Sequence, residues 1–147
     1  MGTLYIVDDD DNLHEHHVQS GSWTKWVVHN RAWSLSTSHA GDVLVTSRTS
    51  RLLLEYAPGG CLRLTVRLPA DVVNPNHAVR VTSDQLAICH GDMTDETQRI
   101  CIVSNCGEVL KSCKVLANCL LHIQFVSYII LAVITDHCRH YLLYRQM

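Results

Sequence analysis

Residues 33–68 decide the fold and read WSLSTSHAGDVLVTSRTSRLLLEYAPGGCLRLTVRL. Four short apolar runs in this stretch are separated by turn-forming residues, and the last turn lies at residues 58–60. Apolar runs of this length between turns are typical of β-strands. Residues 77–114 repeat the arrangement as HAVRVTSDQLAICHGDMTDETQRICIVSNCGEVLKSCK, with Gly107 in the turn before the last run. The sequence therefore predicts two consecutive units of four strands.

Two four-strand units about 45 residues apart are typical of the blades of a β-propeller. A single four-stranded sheet is too small to bury its own faces, so it must stack on a neighbouring sheet. We predict an all-β fold, a partial β-propeller of about three four-stranded antiparallel blades. Closed propellers need roughly four to eight blades, and 147 residues do not supply them. The ring is therefore expected to be incomplete, and its open blade faces predict self-association.

The strand pattern predicts one domain over residues 1–147. Pro69 and Pro75 interrupt strand pairing and suit a connection between the two full units. The first segment is expected to supply only the last three strands of a blade, without the innermost one. The predicted parts are an incomplete blade (1–30), a blade (31–70), a second blade (75–114) and a divergent strand segment (115–147).

Stacking also predicts which residues are buried. Inner strands of stacked sheets are covered on both faces, and residues 41–46 and 85–89 are interpreted as such strands. Val45 and Ile88 are expected at equivalent positions of the two units. The residues expected to lie buried between adjacent blades are Val43, Val45, Leu86 and Ile88.

The two units resemble the NHL-repeat β-propeller family. The resemblance is carried by an apolar strand, a turn, a further apolar strand and a glycine turn, at residues 41–60 and 84–107. Residues 4–8 and 135–140 fit the same strand-end and loop positions. Other tripeptides replace the usual Asn-His-Arg loop of the family, namely Thr49-Ser50-Arg51 and Thr97-Gln98-Arg99.

The resemblance covers most of residues 4–114, and weakly 128–144, and it implies a propeller with a binding role. Known members of the family are mostly binding platforms, including the substrate- or RNA-binding ends of tripartite-motif ubiquitin ligases. Ligase activity is not implied, because the sequence contains no RING or B-box pattern of cysteine and histidine.

The composition indicates an ordinary folded protein with no bias toward nucleic acid. The hydrophobic fraction is 47%, the net charge is −2 and the isoelectric point is near 6.5. Without a basic surplus, binding to the phosphates of DNA or RNA is not expected. The first residues have no basic region before a long apolar run, so no secretory signal is predicted. A cytoplasmic location is expected, with the seven cysteines as reduced thiols.

Residues 115–134 contain no charged side chain and admit two interpretations. One is a buried blade strand, which the β-branched run before Thr135 and Asp136 favours. The alternative is a membrane-spanning helix that tethers the chain, since about twenty apolar residues can cross a bilayer. Four polar residues count against the membrane interpretation, because each is costly in lipid: Asn118, His122, Gln124 and Ser127.

Three groups of potential metal ligands lack the spacing that a site requires. The acidic loop at residues 8–12 has Leu13 at the glycine position of an EF-hand and Gln19 in place of its closing glutamate. We interpret this loop as solvated, the nearby histidines as polar surface residues and the clustered cysteines as small buried hydrophobes. No metal and no cofactor are predicted. The histidines are His14, His16 and His17, and the cysteines are Cys101, Cys106, Cys113 and Cys119.

An enzyme is an alternative, because some six-bladed propellers are metal-dependent hydrolases or lyases with ligands in a central channel. No nucleophile elbow, HExxH motif or phosphate loop is present. An incomplete ring also encloses no channel, so a remnant of such an enzyme is the less favoured hypothesis. The residues that would converge in it are His77, His90, Asp92 and Asp136.

The sequence therefore favours a non-catalytic binding or scaffold module that presents its loops to a protein partner. His90, Gly91 and Asp92 follow an inner strand and form the best candidate for a site. Charged residues in loops after inner strands are expected to be exposed and to contact the partner. The candidate contact residues are Arg48, Arg51, His90, Asp92 and Arg99.

Overall fold

The computed structural model describes residues 2–92 and 98–114 completely, and the backbone of residues 120–126, 129–135 and 141–145. These described residues form strands and no helix. The strands are β1 (Thr3–Val7), β2 (Asn12–His17), β3 (Ser22–Val27), β4 (Ser34–Thr37), β5 (Val43–Ser47), β6 (Leu52–Tyr56), β7 (Leu62–Arg67), β8 (His77–Arg80), β9 (Gln85–His90), β10 (Arg99–Ser104), β11 (Val109–Lys114), β12 (Leu120–Val126), β13 (Ile129–Thr135) and β14 (Tyr141–Arg145).

The strands form four antiparallel sheets in which neighbours in the chain are neighbours in the sheet. Sheet I contains β1 to β3, sheet II β4 to β7, sheet III β8 to β11 and sheet IV β12 to β14. Strand β8 lies beside both β4 and β12, so these first strands form the inner edges of sheets II, III and IV. The prediction of an all-β fold built from small antiparallel sheets is confirmed. The division into parts of one domain stays a prediction.

The two strands interpreted as inner ones are second in their sheets. Residues 41–46 and 85–89 fall largely in β5 and β9, and each of these pairs with a further strand on its inner side. The innermost strands, β4 and β8, contain four residues each and read SLST and HAVR. Both belong to the four strands predicted for each unit, and sheet I has three strands, as predicted for the first segment.

The second strands are nevertheless covered on both faces. Val43 and Val45 pack toward sheet I in a cluster with Leu13, whereas Leu44 packs toward sheet III. The predicted burial of Val43, Val45, Leu86 and Ile88 is confirmed, because none of these residues is measurably exposed. Adjacent positions of a strand point to opposite faces, so β5 contributes to two sheet interfaces at once.

The pairing register relates sheets II and III position by position. Val45 lies between Leu35 and Leu54 in sheet II. Ile88 lies between Ala78 and Cys101 in sheet III, at the same distance from the bulge in the following strand. Val45 and Ile88 are therefore equivalent, as predicted.

Two buried acidic side chains cross the interfaces between sheets. Glu15 lies on β2 and accepts a hydrogen bond from the backbone N–H of Gly59 in sheet II at 3.1 Å. It also accepts the Tyr5 hydroxyl at 3.1 Å, and burial together with this bond raises the pKa of Tyr5 to about 12. Glu55 lies on β6 and binds Arg80 of sheet III. Glu15 and Glu55 follow Asp11 and Arg51, two turn residues with positive φ, at the same distance along their strands.

The uncharged stretch at residues 115–134 contains β12 and most of β13, with backbone pairing over their whole lengths. This agrees with the strand interpretation and not with a membrane-spanning helix. In the residues that the structure describes, no helix is long and apolar enough to cross a membrane.

Gly59 and Gly60 form the turn between β6 and β7 with φ values of 83° and 88°. The Gly60 N–H donates to the Ala57 carbonyl at 3.0 Å, and the Gly107 N–H makes the same bond to Ser104 at 2.9 Å in sheet III. A Cβ atom at Gly59 would meet nothing within 4 Å, whereas a Cβ at Gly60 would lie 2.7 Å from Cγ of Trp26 in sheet I. The two glycines therefore share a backbone constraint but differ in packing.

This difference gives a test of the turn and of the contact with sheet I. Gly59→Val should lower the free energy of unfolding by about 1 kcal/mol, because valine is strained at positive φ. Gly60→Val should add a further loss of roughly 1–3 kcal/mol, because Trp26 must move. Urea unfolding of both variants measures the difference. Equal losses for the two variants would contradict the packing of Gly60 against Trp26.

Candidate functional site

One end of the stacked sheets carries the loops that connect β1 to β2, β5 to β6 and β9 to β10, together with the connections from β3 to β4 and from β7 to β8. We call this end the connecting-loop face. Its described loops lie at residues 8–11, 28–33, 48–51, 68–76 and 91–92. Loops on a rigid sheet scaffold commonly carry binding residues, so this face is the first candidate site.

Trp33 and Arg48 form the centre of the connecting-loop face. The Trp33 N–H donates to the Thr46 carbonyl at 2.7 Å, which fixes the start of β4 against β5. The Trp33 side chain stays 53% exposed, and the Arg48 guanidinium carbon lies 4.8 Å from its ring centroid. This cation–π distance is within the favourable range. An exposed tryptophan is thus held in place by an arginine of the next loop.

Asp92 joins this pair to sheet III. An Asp92 carboxylate oxygen lies 3.5 Å from the Arg48 guanidinium and accepts a hydrogen bond from the Asn74 amide at 2.6 Å. The neighbouring Gly91 N–H donates to the Val73 carbonyl at 2.7 Å, and the Asn76 amide donates to the Gly91 carbonyl at 2.9 Å. The connection from β7 to β8 therefore holds the loop after β9. We refer to Trp33, Arg48, Asn74 and Asp92 as the loop cluster.

The five residues predicted from the sequence have different environments. Arg48 and Asp92 are brought together in the loop cluster. Arg51 is exposed, and its positive φ of 51° directs its carbonyl to the Leu68 N–H at 2.9 Å. His90 is only 5% exposed, so its side chain adds little contact surface. Arg99 is half-buried and pairs with His90 in the register of β9 and β10.

Burial decides the charge state of His90. Desolvation lowers the pKa of His90, and the positive charge of Arg99 lowers it further. The imidazole is therefore neutral in a neutral solution, and His90 supports the loop from within the sheet.

Trp33 and Asn74 were missed by sequence reasoning. Trp33 precedes the short strand β4, and an aromatic residue at the start of a strand is expected to be part of the core. Asn74 precedes Pro75, a pair that indicates a loop but no contact. The available signal was the position of both residues in connections between units, where loops of neighbouring sheets meet.

A groove lies at the opposite end, between sheets II and III, with a volume of about 610 Å³. Its floor holds the ion pair of Arg80 with Glu55, in which Arg80 Nε lies 2.7 Å from one Glu55 carboxylate oxygen. Both side chains are largely buried, and Arg80 also donates to the Asn105 side chain at 2.9 Å. At the rim, Arg63 pairs with Asp42 at 2.9 Å. Opposite charges are matched throughout the groove, so it presents no net attraction to an ion.

The potential metal ligands are used in other ways. Asp8 accepts hydrogen bonds from the Asn12 backbone and side chain at 2.9 Å and lies 2.8 Å from His14 Nε2. The contact with His14, followed by those with Asn12, lowers the pKa of Asp8. The acidic loop is therefore an internally bonded turn. In the described part of the chain, no group of three or more histidine, cysteine, aspartate or glutamate residues is placed to hold a metal ion.

The cysteines differ from the expectation that they are uniformly buried. Cys101 is buried, and desolvation raises the pKa of its thiol to about 12. Cys106 and Cys113 are exposed, because they lie in the turn before β11 and on that outer strand. Cys119 lies outside the described residues. The described cysteines, Cys61, Cys89, Cys101, Cys106 and Cys113, are free thiols.

Comparisons with known proteins establish the fold class. No family model and no curated protein matches the chain. Among solved structures, BBS1N in complex with ARL6DN is similar at 13% identity and a TM-score of 0.58, over 90% of this chain and 43% of the other. A catalytically inactive virginiamycin B lyase from Staphylococcus aureus with quinupristin is similar at 11% identity and a TM-score of 0.59, over 99% of this chain and 52% of the other. Apo AztD from Citrobacter koseri is similar at 15% identity and a TM-score of 0.50, over 92% of this chain and 39% of the other.

These neighbours are β-propeller-like proteins, and the chain spans about half of their length or less. The described strands form four antiparallel sheets, so the chain has the fold of a partial β-propeller. The predicted fold class is confirmed, and the described strands form two four-stranded and two three-stranded sheets in place of about three four-stranded blades.

The ion pair under the groove gives a prediction for stability. Arg80→Met leaves the Glu55 carboxylate buried without its partner, which should cost about 3–5 kcal/mol of the free energy of unfolding. Combining it with Glu55→Ile should restore most of the loss, because Ile102 occupies the equivalent position of sheet III. Denaturant unfolding measures both variants.

The control for this prediction is Arg67→Met. Arg67 is an exposed residue at the end of β7, so the substitution should change the free energy of unfolding by less than about 1 kcal/mol. If the double variant is as unstable as Arg80→Met alone, apolar side chains do not replace the buried ion pair, and the prediction is wrong.

Proposed function

We propose that the chain is a non-catalytic protein-interaction module of the NHL-repeat propeller type, and that the loop cluster is its contact surface. The observation that carries the proposal is the exposed Trp33 ring under the Arg48 guanidinium. Tryptophan and arginine are the residue types that most often dominate the binding energy of protein interfaces. An exposed tryptophan ring also offers a large apolar contact area with a polar N–H group, which suits a binding surface.

The loop cluster is ordered before any partner arrives. Arg48 contacts both the Trp33 ring and the Asp92 carboxylate, and Asn74 holds Asp92 from the other side. Side chains that are already fixed lose less conformational entropy on binding. A partner would therefore meet a flat aromatic surface bordered by one positive and one negative group, which suits a polypeptide with both apolar and polar side chains.

The charge of the chain favours a protein over a nucleic acid as the partner. The net charge is −2, and the loop cluster pairs its arginine with an aspartate. Binding to a phosphate backbone depends on several unpaired basic groups. One structural neighbour, BBS1N, is itself described in complex with a protein, ARL6DN, which supports the same use of this fold.

A second structural neighbour is a lyase, so an enzymatic role is the alternative hypothesis. The positions of this chain's candidate catalytic residues favour the binding role instead. His90 is buried, and His77 Nδ1 lies 3.1 Å from the Ser34 hydroxyl. Asp136 lies outside the described residues.

We also propose a cytoplasmic location, where free thiols such as Cys106 stay reduced.

The proposal is tested by comparing what variants of the chain capture from a cytosolic extract. Trp33→Ala and Arg48→Ala should each lower the amount of a captured polypeptide at least about tenfold, as for loss of a binding hot spot. Quantitative mass spectrometry of crosslinked complexes measures the change. Matching thermal unfolding curves would show that the variants remain folded.

Arg63→Ala is the matched control, because Arg63 is an exposed arginine at the opposite end of the sheets. It should capture the same polypeptides as the unmodified chain. If loss of Trp33 and of Arg48 changes nothing, or if Arg63→Ala has the same effect as they have, the loop cluster is not the contact surface.

A further inference from the structure

Sheet I has one face that packs on sheet II and one that packs on nothing in the described residues. Tyr5, Leu13 and Trp26 point toward sheet II and join its core. The alternate positions of β1 and β3 point the other way, as strand geometry requires. We call this side the outer face of sheet I. Four large apolar side chains on it are 41–59% exposed: Leu4, Ile6, Trp23 and Val27.

The strands of sheet I correspond to the last three strands of sheet II. The Val28 N–H donates to the Asp11 carbonyl at 2.9 Å, and the Leu68 N–H donates to the Arg51 carbonyl at 2.9 Å. Asp11 and Arg51 both have positive φ, at 60° and 51°. The same closing bond at the same turn makes β1, β2 and β3 equivalent to β5, β6 and β7.

This correspondence shows which surface of sheet II the outer face resembles. Ile6 pairs with His14 as Val45 pairs with Leu54, and Leu4 pairs with His16 as Val43 pairs with Tyr56. The four sheet II residues, Val43, Val45, Leu54 and Tyr56, are buried because sheet I covers them. The outer face of sheet I is therefore the same half of a sheet-to-sheet interface.

The outer face also contains polar groups that give it a defined shape. His14 is held by Asp8 at 2.8 Å, and the His16 ring stacks on Trp23 with centroids 4.1 Å apart and an angle of 21°. Lys25 lies opposite His14 in the register. Fixed polar side chains among apolar ones favour a specific partner over general hydrophobic adhesion.

We propose that a second copy of this chain covers the outer face of sheet I with sheet IV, the last sheet of its own stack. Each described interface joins the two different sides of successive sheets, so the contact between copies is head-to-tail. The lengths of two propeller-like neighbours favour a second copy as the occupant, because this chain spans 43% and 52% of them. Two copies thus supply about the length of one such chain.

The test measures the mass of the 147-residue chain in solution by sedimentation over a dilution series. The weight-average mass should rise from the monomer value of 16.6 kDa toward twice that value or higher as concentration increases. Ile6→Lys and Val27→Lys should each raise the concentration for half-association at least about tenfold, because a lysine would be buried in the contact.

Val73→Lys is the matched control, since Val73 is 50% exposed, between Ile6 at 41% and Val27 at 59%, but lies in the connection from β7 to β8. It should associate like the unmodified chain. A folded monomer at all concentrations would overturn the proposal, and so would association that Ile6→Lys and Val27→Lys leave unchanged. Efficient disulfide formation between two Ile6→Cys copies would show that two outer faces meet each other, which overturns the head-to-tail contact.

Discussion

The packing of one small sheet on the next is the constraint on which the rest of the structure depends. A four-stranded sheet exposes two faces, and strand alternation sends Val45 to one neighbour and Leu44 to the other. Both faces are buried only when both neighbours are present. Apolar residues on both sides of β5 and β9 therefore encode the stack itself, and each sheet is stable only as a member of it.

Polar contacts decide how the stacked sheets are aligned. Glu15 reaches the backbone of the turn at Gly59, and Glu55 reaches Arg80. At the equivalent position of sheet III stands Ile102, so packing alone can fill this place. A buried ion pair adds little net stability compared with an apolar substitute. The ion pair does, however, form in only one alignment of the two sheets. Other alignments are less stable, because a displaced carboxylate would stay buried without a partner.

The sequence predicted features that depend on residues close together in the chain. Strand alternation predicted the burial of Val45 and Ile88, and the glycine turn before β7 follows from residues 58–60. Features that depend on how neighbouring sheets are offset were missed. The burial of His90 and the meeting of Arg48 with Asp92 are of this kind.

The same offset links the alignment of the sheets to the surface that a partner would meet. Arg48 extends from sheet II and Asp92 from sheet III, so their contact exists only while the two sheets keep one relative position. That position is fixed at the other end of the same interface by Glu55 and Arg80. Between these ends lies a buried apolar cluster that contains Leu44, which resists sliding because packed cores do not deform continuously. The loop cluster thus owes its geometry to the interface beneath it, and its two charged residues act as one surface although they belong to different sheets.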